Sequence, residues 1–501
     1  MRPYDYNAVL GRIDHNFDSA NRLFVSGYWN KRQEDRYNWA AGAANATAEG
    51  AINGFEVTRG FDYRSNTGVT VGFTSTRSSA LVFDLRGSWA KFDEYRTPSQ
   101  TFDPQSLGFA SSASSLFGEY QYLPFITFGG FSTTNSNSRI ASLGSQRSDW
   151  NEGFNRPFTN LSLAPTVTWL WGAHSFRTGY DLRWRRWDIT NEGYGAGRYH
   201  FAGTYTRANN AAPQNELAQS WAQFLLGLPT TGTNTVASPG GTSSQFEISA
   251  RGDYRQVSHG VFVQDDWRLS RKLTLNLGLR FELDQALTEA GDRNLGGFDA
   301  EAASPIETAA RLRYAANPIP QIAPADFHVR GGVLFADGPI HNSLAKALPR
   351  AALSYLLNDK TVLRGGVGLF SFPFYFDAGN QAGFSQPTGV LTTENNGATF
   401  LTTLSNPLPS GNLIQPVGSA LGLGSSLGLT LGTIVPSERK TPYYTRWQAG
   451  IQRDLGGGFV LEAFYVGSRG RHLPVLRELN GLPTQYPVSY THLTLPTILR
   501  V

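Results

Sequence analysis

The chain has 501 residues and a formal net charge of +4, with 16% charged and 13% aromatic residues. So small a charge argues against nucleic-acid binding, because a polyanion binder needs a basic excess or a basic stripe. The sequence has no cysteine, which excludes disulfides, thiolate zinc sites and cysteine nucleophiles. The 54 glycines and the many aromatic residues favour an all-β fold.

The apolar runs and the first residues of the chain show whether the sequence contains a transmembrane helix or a signal peptide. No uninterrupted apolar run reaches the ~18 residues expected of a transmembrane helix. Residues 1–6, MRPYDY, lack the apolar stretch of a signal peptide. Either the protein is cytoplasmic or Met1 is not its native start, and we expect the second.

The first predicted β-hairpin joins residues 7–17 and 21–31 through a short turn at 18–20. Its apolar residues share one face: Val9, Ile13, Val25 and Trp29. Its polar residues share the other face: Arg12, Asp14, Ser26 and Asn30. This alternation with period two is typical of strands that separate an apolar from a polar environment.

Further hairpins follow the same plan along the chain. They are predicted at 68–76 with 80–92, 161–170 with 175–187, 350–357 with 361–369, and 443–455 with 459–469. Residues 55–64 are weaker and are predicted as a separate strand at most. Residues 218–226, AQSWAQFLL, are the one short stretch predicted to be helical.

The clearest segment is 273–283, LTLNLGLRFEL, in which every second residue is apolar. A strand of this length spans roughly 36 Å at ~3.3 Å per residue, and a tilt near 45° reduces the span to about 26 Å. The apolar band of an outer-membrane β-barrel is about 25 Å tall. The segment therefore has the length of a membrane-spanning strand.

Residues 259–269 are predicted to pair with 273–283 through the turn 270–272. The register sets Trp267 opposite Leu275, Val263 opposite Leu279 and Val261 opposite Phe281 on the apolar face. On the polar face it sets Arg268 opposite Thr274, Asp266 opposite Asn276 and Phe262 opposite Arg280. Strict alternation would point Asp265 at lipid. We therefore predict a β-bulge near residues 264–266, or a position close to the membrane interface.

Long segments join the hairpins, whereas the turns within each hairpin are short. The long segments are 32–54, 97–147, 286–349 and 371–441, and their Gly, Ser, Asn and Pro content predicts no core of their own. Outer-membrane barrels have short periplasmic turns and long extracellular loops. A soluble β-sandwich also alternates apolar and polar residues. Strand length, turn asymmetry and Trp residues near strand ends favour the barrel.

Four segments resemble the barrel of TonB-dependent receptors, and in particular the Oar-like group. They are NAVLGRIDHNFDSANRLFVSGYW, HGVFVQDDWRLSRKLTLNLGLRFEL, KTVLRGGVGLF and LEAFYVGSRGRHLP. The resemblance covers most of residues 5–487. It implies an antiparallel transmembrane barrel of 22 strands, a plug domain inside it, and energy from TonB in the inner membrane.

The chain departs from that family pattern at both ends. Judged by the family pattern, we expect this chain to lack the signal peptide, the TonB-contacting segment, the plug, the last strands and the terminal aromatic residue. We expect roughly 12–14 strands, so residues 1–487 are interpreted as a barrel fragment that does not close. Residues 488–501, VSYTHLTLPTILRV, resemble translated sequencing-adapter sequence and are predicted to be non-native.

No motif in the sequence predicts catalysis. The eight histidines lack metal-ligand spacing, and no HExxH or GxSxG motif occurs. The glycine run at residues 365–368 lies in a predicted strand with no helix after it, so it does not fit a phosphate-binding loop. We predict no enzyme activity, no cofactor and no metal.

Candidate binding residues come from the predicted lumen face of the barrel. They are Arg12, Asp14, Asp181, Arg183, Arg280 and Glu282. They are interpreted either as contacts to the plug or substrate or, with more weight, as ordinary solvated lining. Aromatic residues of the loops could stack on sugars or chelates: Tyr37, Trp39, Tyr120 and Tyr122.

The favoured function is TonB-dependent active uptake of a scarce ligand across the bacterial outer membrane. The expected partners are the TonB complex through the missing plug, outer-membrane lipid and an unknown small ligand, with no nucleic acid. A siderophore, an oligosaccharide and a peptide all remain open as the ligand. The alternatives are a surface adhesin built as a β-sandwich and a passive porin.

Overall fold

The computed structural model describes most of the chain. The described residues are 4–37, 51–52, 55–56, 59–98, 102–118, 121, 123–129, 142–143, 154–191, 194–209, 211–212, 217–232, 243–249, 252–291, 295–336, 338–339, 341–371, 385–409, 411, 413–427 and 438–475. Among these residues, no helix has the length and apolar character needed to span a membrane.

Twelve strands form one antiparallel meander whose order in the sheet follows the order in the chain. They are β1 (Tyr4–Asn16), β2 (Asn21–Tyr37), β3 (Arg59–Ser78), β4 (Leu81–Pro98), β5 (Phe158–Trp171), β6 (His174–Asn191), β7 (Gly252–Arg268), β8 (Leu273–Asp284), β9 (Leu344–Asn358), β10 (Thr361–Ser371), β11 (Tyr443–Gly456) and β12 (Phe459–Arg471). The short strands Phe154–Asn155 and Thr288–Glu289 join this sheet and bring it to fourteen. Within the described part, β1 and β12 each pair with one neighbour, so the sheet is an unclosed barrel wall of the predicted size.

The predicted register of the β7–β8 hairpin is confirmed at all six residue pairs. The predicted β-bulge is wrong, because Asp265 lies opposite Leu277 with no register shift. Asp265 is placed near the short-turn end of β7, where its carboxylate lies 2.7 Å from His174 Nδ1 on β6. This carboxylate is therefore accommodated by a polar partner and by its position near the strand end, and not by a bulge.

The prediction of a separate strand at residues 55–64 is wrong in part. Residues 59–64 are the first part of β3, which runs unbroken to Ser78 between β2 and β4. Phe55–Glu56 instead pairs with Ala51–Ile52. The segment DYRSNTG carries no apolar alternation, yet its backbone is held on both sides by neighbouring strands. Main-chain pairing therefore extends β3 beyond its apolar part.

The long loops do form a core, contrary to the sequence prediction. Five strands from three loops build a second sheet, here called the loop sheet, in the order Ser385–Gly389, Gln245–Ser249, Arg198–Phe201, Phe125–Phe128 and Ser142–Leu143. Its buried aromatic residues include Phe109, Phe117, Tyr199, Phe201 and Phe246. The loops are polar on average, but their aromatic residues are concentrated in short runs that meet in space.

Three α-helices lie in the loops within the part of the chain that the structure describes. Helix α2 (Leu217–Leu225) confirms the predicted helix and packs Trp221 and Phe224 against the loop sheet. Helices α1 (Ser111–Phe117) and α3 (Glu307–Ala316) were not predicted. Helix α1 has the sequence SSASSLF and buries Leu116 and Phe117. Its run of serines did not indicate a helix.

Burial of His200 makes the loop sheet sensitive to acid. Its Nδ1 lies 2.8 Å from Thr127 Oγ1, and burial, assisted by the charge of Arg198, lowers the pKa of His200 to about 4. The unfolded state therefore takes up the proton first as the pH falls, and folding loses stability between about pH 6.5 and pH 4. We expect a loss of up to about 3 kcal/mol across this window.

Hydrogen exchange of the strand Arg198–Phe201 at pH 7 and pH 4.5 checks this expectation. Protection is expected to fall at pH 4.5 in the wild type and to change far less in His200→Gln. Equal protection of the wild type at both pH values would show that His200 does not control the loop sheet.

Candidate functional site

One face of the twelve-stranded sheet is apolar, and no other described part of the chain covers it. On β8, Leu277, Leu279 and Phe281 are 42%, 49% and 46% exposed. Exposed apolar residues continue on the same face of the other strands: Val9, Ile13, Val69, Val71, Phe83, Leu85, Leu161, Leu163, Val261, Val263, Leu353, Val367, Ile451 and Leu461. A β-sandwich would bury this face against a second sheet, so the sandwich alternative is wrong. A continuous apolar surface of this extent is suited to lipid.

An aromatic cluster marks the short-turn end of the same face. Trp169 stacks on Trp171 with ring centroids 5.7 Å apart, and His174 stacks on Trp267 at 5.1 Å. Trp and His rings have an apolar body and a polar edge, which suits the boundary between lipid and water. The cluster agrees with the aromatic girdle of membrane β-barrels.

The opposite face of the sheet is polar and curves around a cavity of about 370 Å³. Six consecutive strands, β3 to β8, contribute to its lining, which includes Thr70, Arg86, Ser88, Ser162, Thr166, Arg177, Asp181, Arg183, Phe262 and Arg280. Residues from six neighbouring strands can line one cavity when they lie on the concave side of the sheet. The polar face is therefore the inner face.

Four of the six predicted site residues meet in one ion-pair network on this inner face. Asp181 accepts from Arg183 Nη2 at 2.8 Å and from Arg280 Nη2 at 3.1 Å. Arg280 also pairs through Nε with Glu282 at 2.6 Å, and Ser371 donates to the same carboxylate. The network links β6, β8 and β10 across the strands between them.

Gly260 of β7 allows Arg280 to reach Asp181. Gly260 lies in register between Asp181 and Glu282, and a Cβ at this position would overlap the Arg280 guanidinium. We expect Gly260→Ala to displace Arg280 from Asp181 and to cost about 1 kcal/mol, the size of a partly exposed charged interaction.

Urea unfolding of the full chain in micelles measures the effect of Gly260→Ala. The matched control is Gly278→Ala on β8, where an added Cβ meets its nearest atom, the Val263 carbonyl oxygen, at 3.7 Å. If both variants unfold at the wild-type urea concentration, the network contributes no measurable stability.

Arg12 and Asp14 lie apart from this network. Asp14 accepts from Arg12 at 2.6 Å and from Arg22 at 2.9 Å, and the Arg12 guanidinium lies 4.3 Å from the Phe24 ring centroid. These residues are on β1 and β2, and neither Arg12 nor Asp14 lines the cavity. Their assignment as ligand or plug contacts remains a prediction, as it does for the other four.

Three of the four predicted loop aromatic residues lie outside the described residues. Tyr37 is the last residue of β2. Trp39, Tyr120 and Tyr122 lie outside the described residues. Stacking on a ligand by these four residues therefore stays a prediction.

The inner face also holds residues that the sequence prediction did not single out. Arg86 pairs with Asp84 at 3.0 Å, Ser88 and Ser162 share a hydrogen bond of 2.6 Å across β4 and β5, and the buried Arg185 donates to Ser258 at 2.9 Å. The signal for them was present, because each occupies an inward position of the same two-residue alternation.

Comparison with known proteins agrees with this geometry. The family described as outer membrane beta barrel domain matches residues 2–498. No curated protein matches the chain.

Similar solved structures include three receptors. They are the siderophore receptor PiuA from Acinetobacter baumannii (11% identity, TM-score 0.40, 93% of this chain and 50% of that one), the ferric yersiniabactin uptake receptor FyuA from Yersinia pestis (8%, 0.41, 93% and 45%) and the alcaligin outer membrane receptor FauA from Bordetella pertussis (8%, 0.39, 93% and 44%). The chain spans about half the length of these structures. With the two-faced antiparallel sheet, the family match over almost the whole chain shows that this protein belongs to the outer-membrane β-barrel domain family and resides in the bacterial outer membrane.

Proposed function

We propose that this chain forms part of the barrel wall of a TonB-dependent receptor, which takes up a scarce ligand across the outer membrane. The observation that supports this most is the two-faced sheet, whose apolar side is exposed among the described residues and whose polar side carries an ordered ion-pair network around a cavity. An aqueous path for a ligand needs such an interior. In this role the protein is a transporter and not an enzyme.

The proposal gives the parts of the chain different roles. Residues 1–487 supply wall and extracellular loops, and the folded loop sheet offers a surface for capturing a small ligand such as a siderophore, an oligosaccharide or a peptide. A plug domain would transmit the pull of TonB. The assignment of residues 488–501 as a non-native tail stays a prediction, because they lie outside the described residues.

A passive porin would use the same two-faced wall, and permeation distinguishes it from a plugged receptor. The full-length protein encoded by the intact gene is reconstituted into liposomes, and swelling is followed with arabinose as the permeating solute. A plugged receptor is expected to give no swelling and to bind the purified periplasmic domain of TonB. Rapid swelling together with no TonB binding would favour the porin.

A further inference from the structure

A second cavity, of about 290 Å³, lies where the long-loop ends of β9, β11 and β12 come together. It is lined by four cationic or protonatable side chains, here called the rim cluster: Lys346, Arg439, Lys440 and His472. The other lining residues are Asn342, Ser343, Leu344, Ala345 and Thr441, so no carboxylate is among the described residues that line it. Glu438, the neighbour of Arg439, is exposed and outside this lining.

The backbone around the rim cluster is held by side-chain clamps. The Asn342 amide donates to the Arg439 carbonyl at 3.0 Å and accepts from the Arg439 N–H at 2.7 Å. Thr441 Oγ1 donates to the Ala345 carbonyl at 3.0 Å. The segment before β11 is thereby fixed against the start of β9, which places the backbone that carries Arg439 and Lys440 beside Lys346.

Tyr443 contacts two side chains of the rim cluster. The Lys346 ammonium lies 3.8 Å from the centroid of its ring, and the His472 imidazole packs edge-on against it at 5.6 Å. A cation over an aromatic face keeps its charge while losing rotamer freedom. Lys346 and His472 come from separate strand ends, so the ring holds together groups that are distant in sequence.

The charge balance of this region differs from that of the rest of the inner face. On β1 to β8 five arginines of the inner face pair with carboxylates: Arg12 with Asp14, Arg64 with Glu94, Arg86 with Asp84, Arg183 with Asp181, and Arg280 with Glu282. Arg177, by contrast, forms no salt bridge with another described residue. Within the described part of the chain, Lys346 and Lys440 form no salt bridge. Arg350 and Arg446, which flank Gly368 in register on the inner face, form none there either. Lys346, Lys440, Arg350 and Arg446 thus give this region an excess of positive charge, since the carboxylate in register with Lys346, Glu282, already pairs with Arg280.

We propose that the rim cluster is a binding site for a phosphate group, carried by a soluble ligand or by a membrane lipid. Cations arrive from two separate chain segments, together with the His472 imidazole and the Ser343 hydroxyl, and this suits a tetrahedral anion that accepts from several directions. A planar carboxylate is best satisfied by one guanidinium fork. The cavity exceeds the volume of one phosphate, so the remainder of the ligand also has space.

Binding to the full chain in zwitterionic micelles at low ionic strength tests this site, with inorganic pyrophosphate titrated by calorimetry. The variant Lys346→Gln/Lys440→Gln is expected to weaken pyrophosphate binding about tenfold or more, because each lysine contributes a charged interaction. The matched control is Lys360→Gln/Arg453→Gln, which removes the same charge at the short-turn end of β10 and β11. The control is expected to bind within twofold of the wild type.

A second arm separates the two sources of phosphate. Phosphatidic acid is added to the micelles, and its retention by wild type and variants is measured by native mass spectrometry. Loss of pyrophosphate binding alone assigns a soluble ligand, loss of phosphatidic acid alone assigns a lipid, and loss of both shows that the site accepts either. The proposal is overturned if the rim variant keeps both, or if the short-turn control loses as much. Heat-modifiable migration of each variant confirms that it is folded.

Discussion

Replacing Leu279 with arginine is expected to lower the free energy of unfolding in a bilayer by about 2–4 kcal/mol, the cost of a cation facing lipid near the midplane. Leu279 lies near the middle of β8, with Val263 and Pro349 beside it on the apolar face. Its side chain is half-exposed because nothing within the described protein covers it. Urea unfolding of the full chain in phospholipid vesicles measures the loss.

Two companion substitutions on β8 test whether lipid is the cause. Asn276→Arg places the same side chain on the inner face beside Asp266, whose carboxylate already accepts from Asn276, and should cost less than about 1 kcal/mol. Leu273→Arg lies on the apolar face at the strand end, where the cost should also be about 1 kcal/mol or less. If Leu279→Arg and Asn276→Arg lower the free energy of unfolding equally, the two faces of the sheet are in the same environment.

Replacing Phe246 with alanine is expected to destabilise the loop sheet by about 3–5 kcal/mol. Phe246 is fully buried and packs edge-on against both Phe117 and Tyr199, with ring centroids 5.9 and 6.1 Å apart. Truncation removes the aromatic contacts and leaves a cavity among rings that belong to different loops. Limited proteolysis of the loops, followed with time, measures the loss of structure.

The expected damage from Phe246→Ala is local. The twelve-stranded sheet has its own hydrogen bonds and its own lipid contacts, so its urea unfolding should change little. Phe298→Ala is the matched control, because Phe298 lies outside the loop sheet and is partly exposed. If Phe246→Ala leaves the loops as protease-resistant as Phe298→Ala does, the loop sheet is not held by this core.

The barrel wall could be predicted from the sequence because its rules are local. Lipid demands an apolar residue at every second position, and short turns fix the register, so both could be read within about 25 residues at 259–283. The same rule placed Asp181 and Arg183 inward on β6. It also placed Asp265 on the apolar face, but its polar partner there, His174, belongs to another hairpin and could not be read from this one.

The loop sheet and the rim cluster could not be predicted in this way. Strand Phe125–Phe128 pairs with Arg198–Phe201, which lies more than seventy residues further along the chain. The periodicity of the local sequence does not predict such a long-range contact. Likewise, Lys346 and His472 come together only because β9 begins where β12 ends, at the same edge of the sheet. The average polarity of the loops gave no sign of their hydrophobic core, because the aromatic residues that build it occupy a small part of each loop.

A cysteine scan of residues 273–283 tests the central claim, that one side of these strands faces lipid and the other faces water. The chain has no native cysteine, so each introduced thiol carries a single nitroxide label. Collision rates with oxygen, which concentrates in lipid, and with a water-soluble nickel chelate are measured by electron paramagnetic resonance in vesicles. We expect oxygen collisions to peak at the odd-numbered positions 275–281 and nickel collisions at the even-numbered ones. Nickel contact at the odd positions, or no alternation at all, would contradict a membrane-spanning wall.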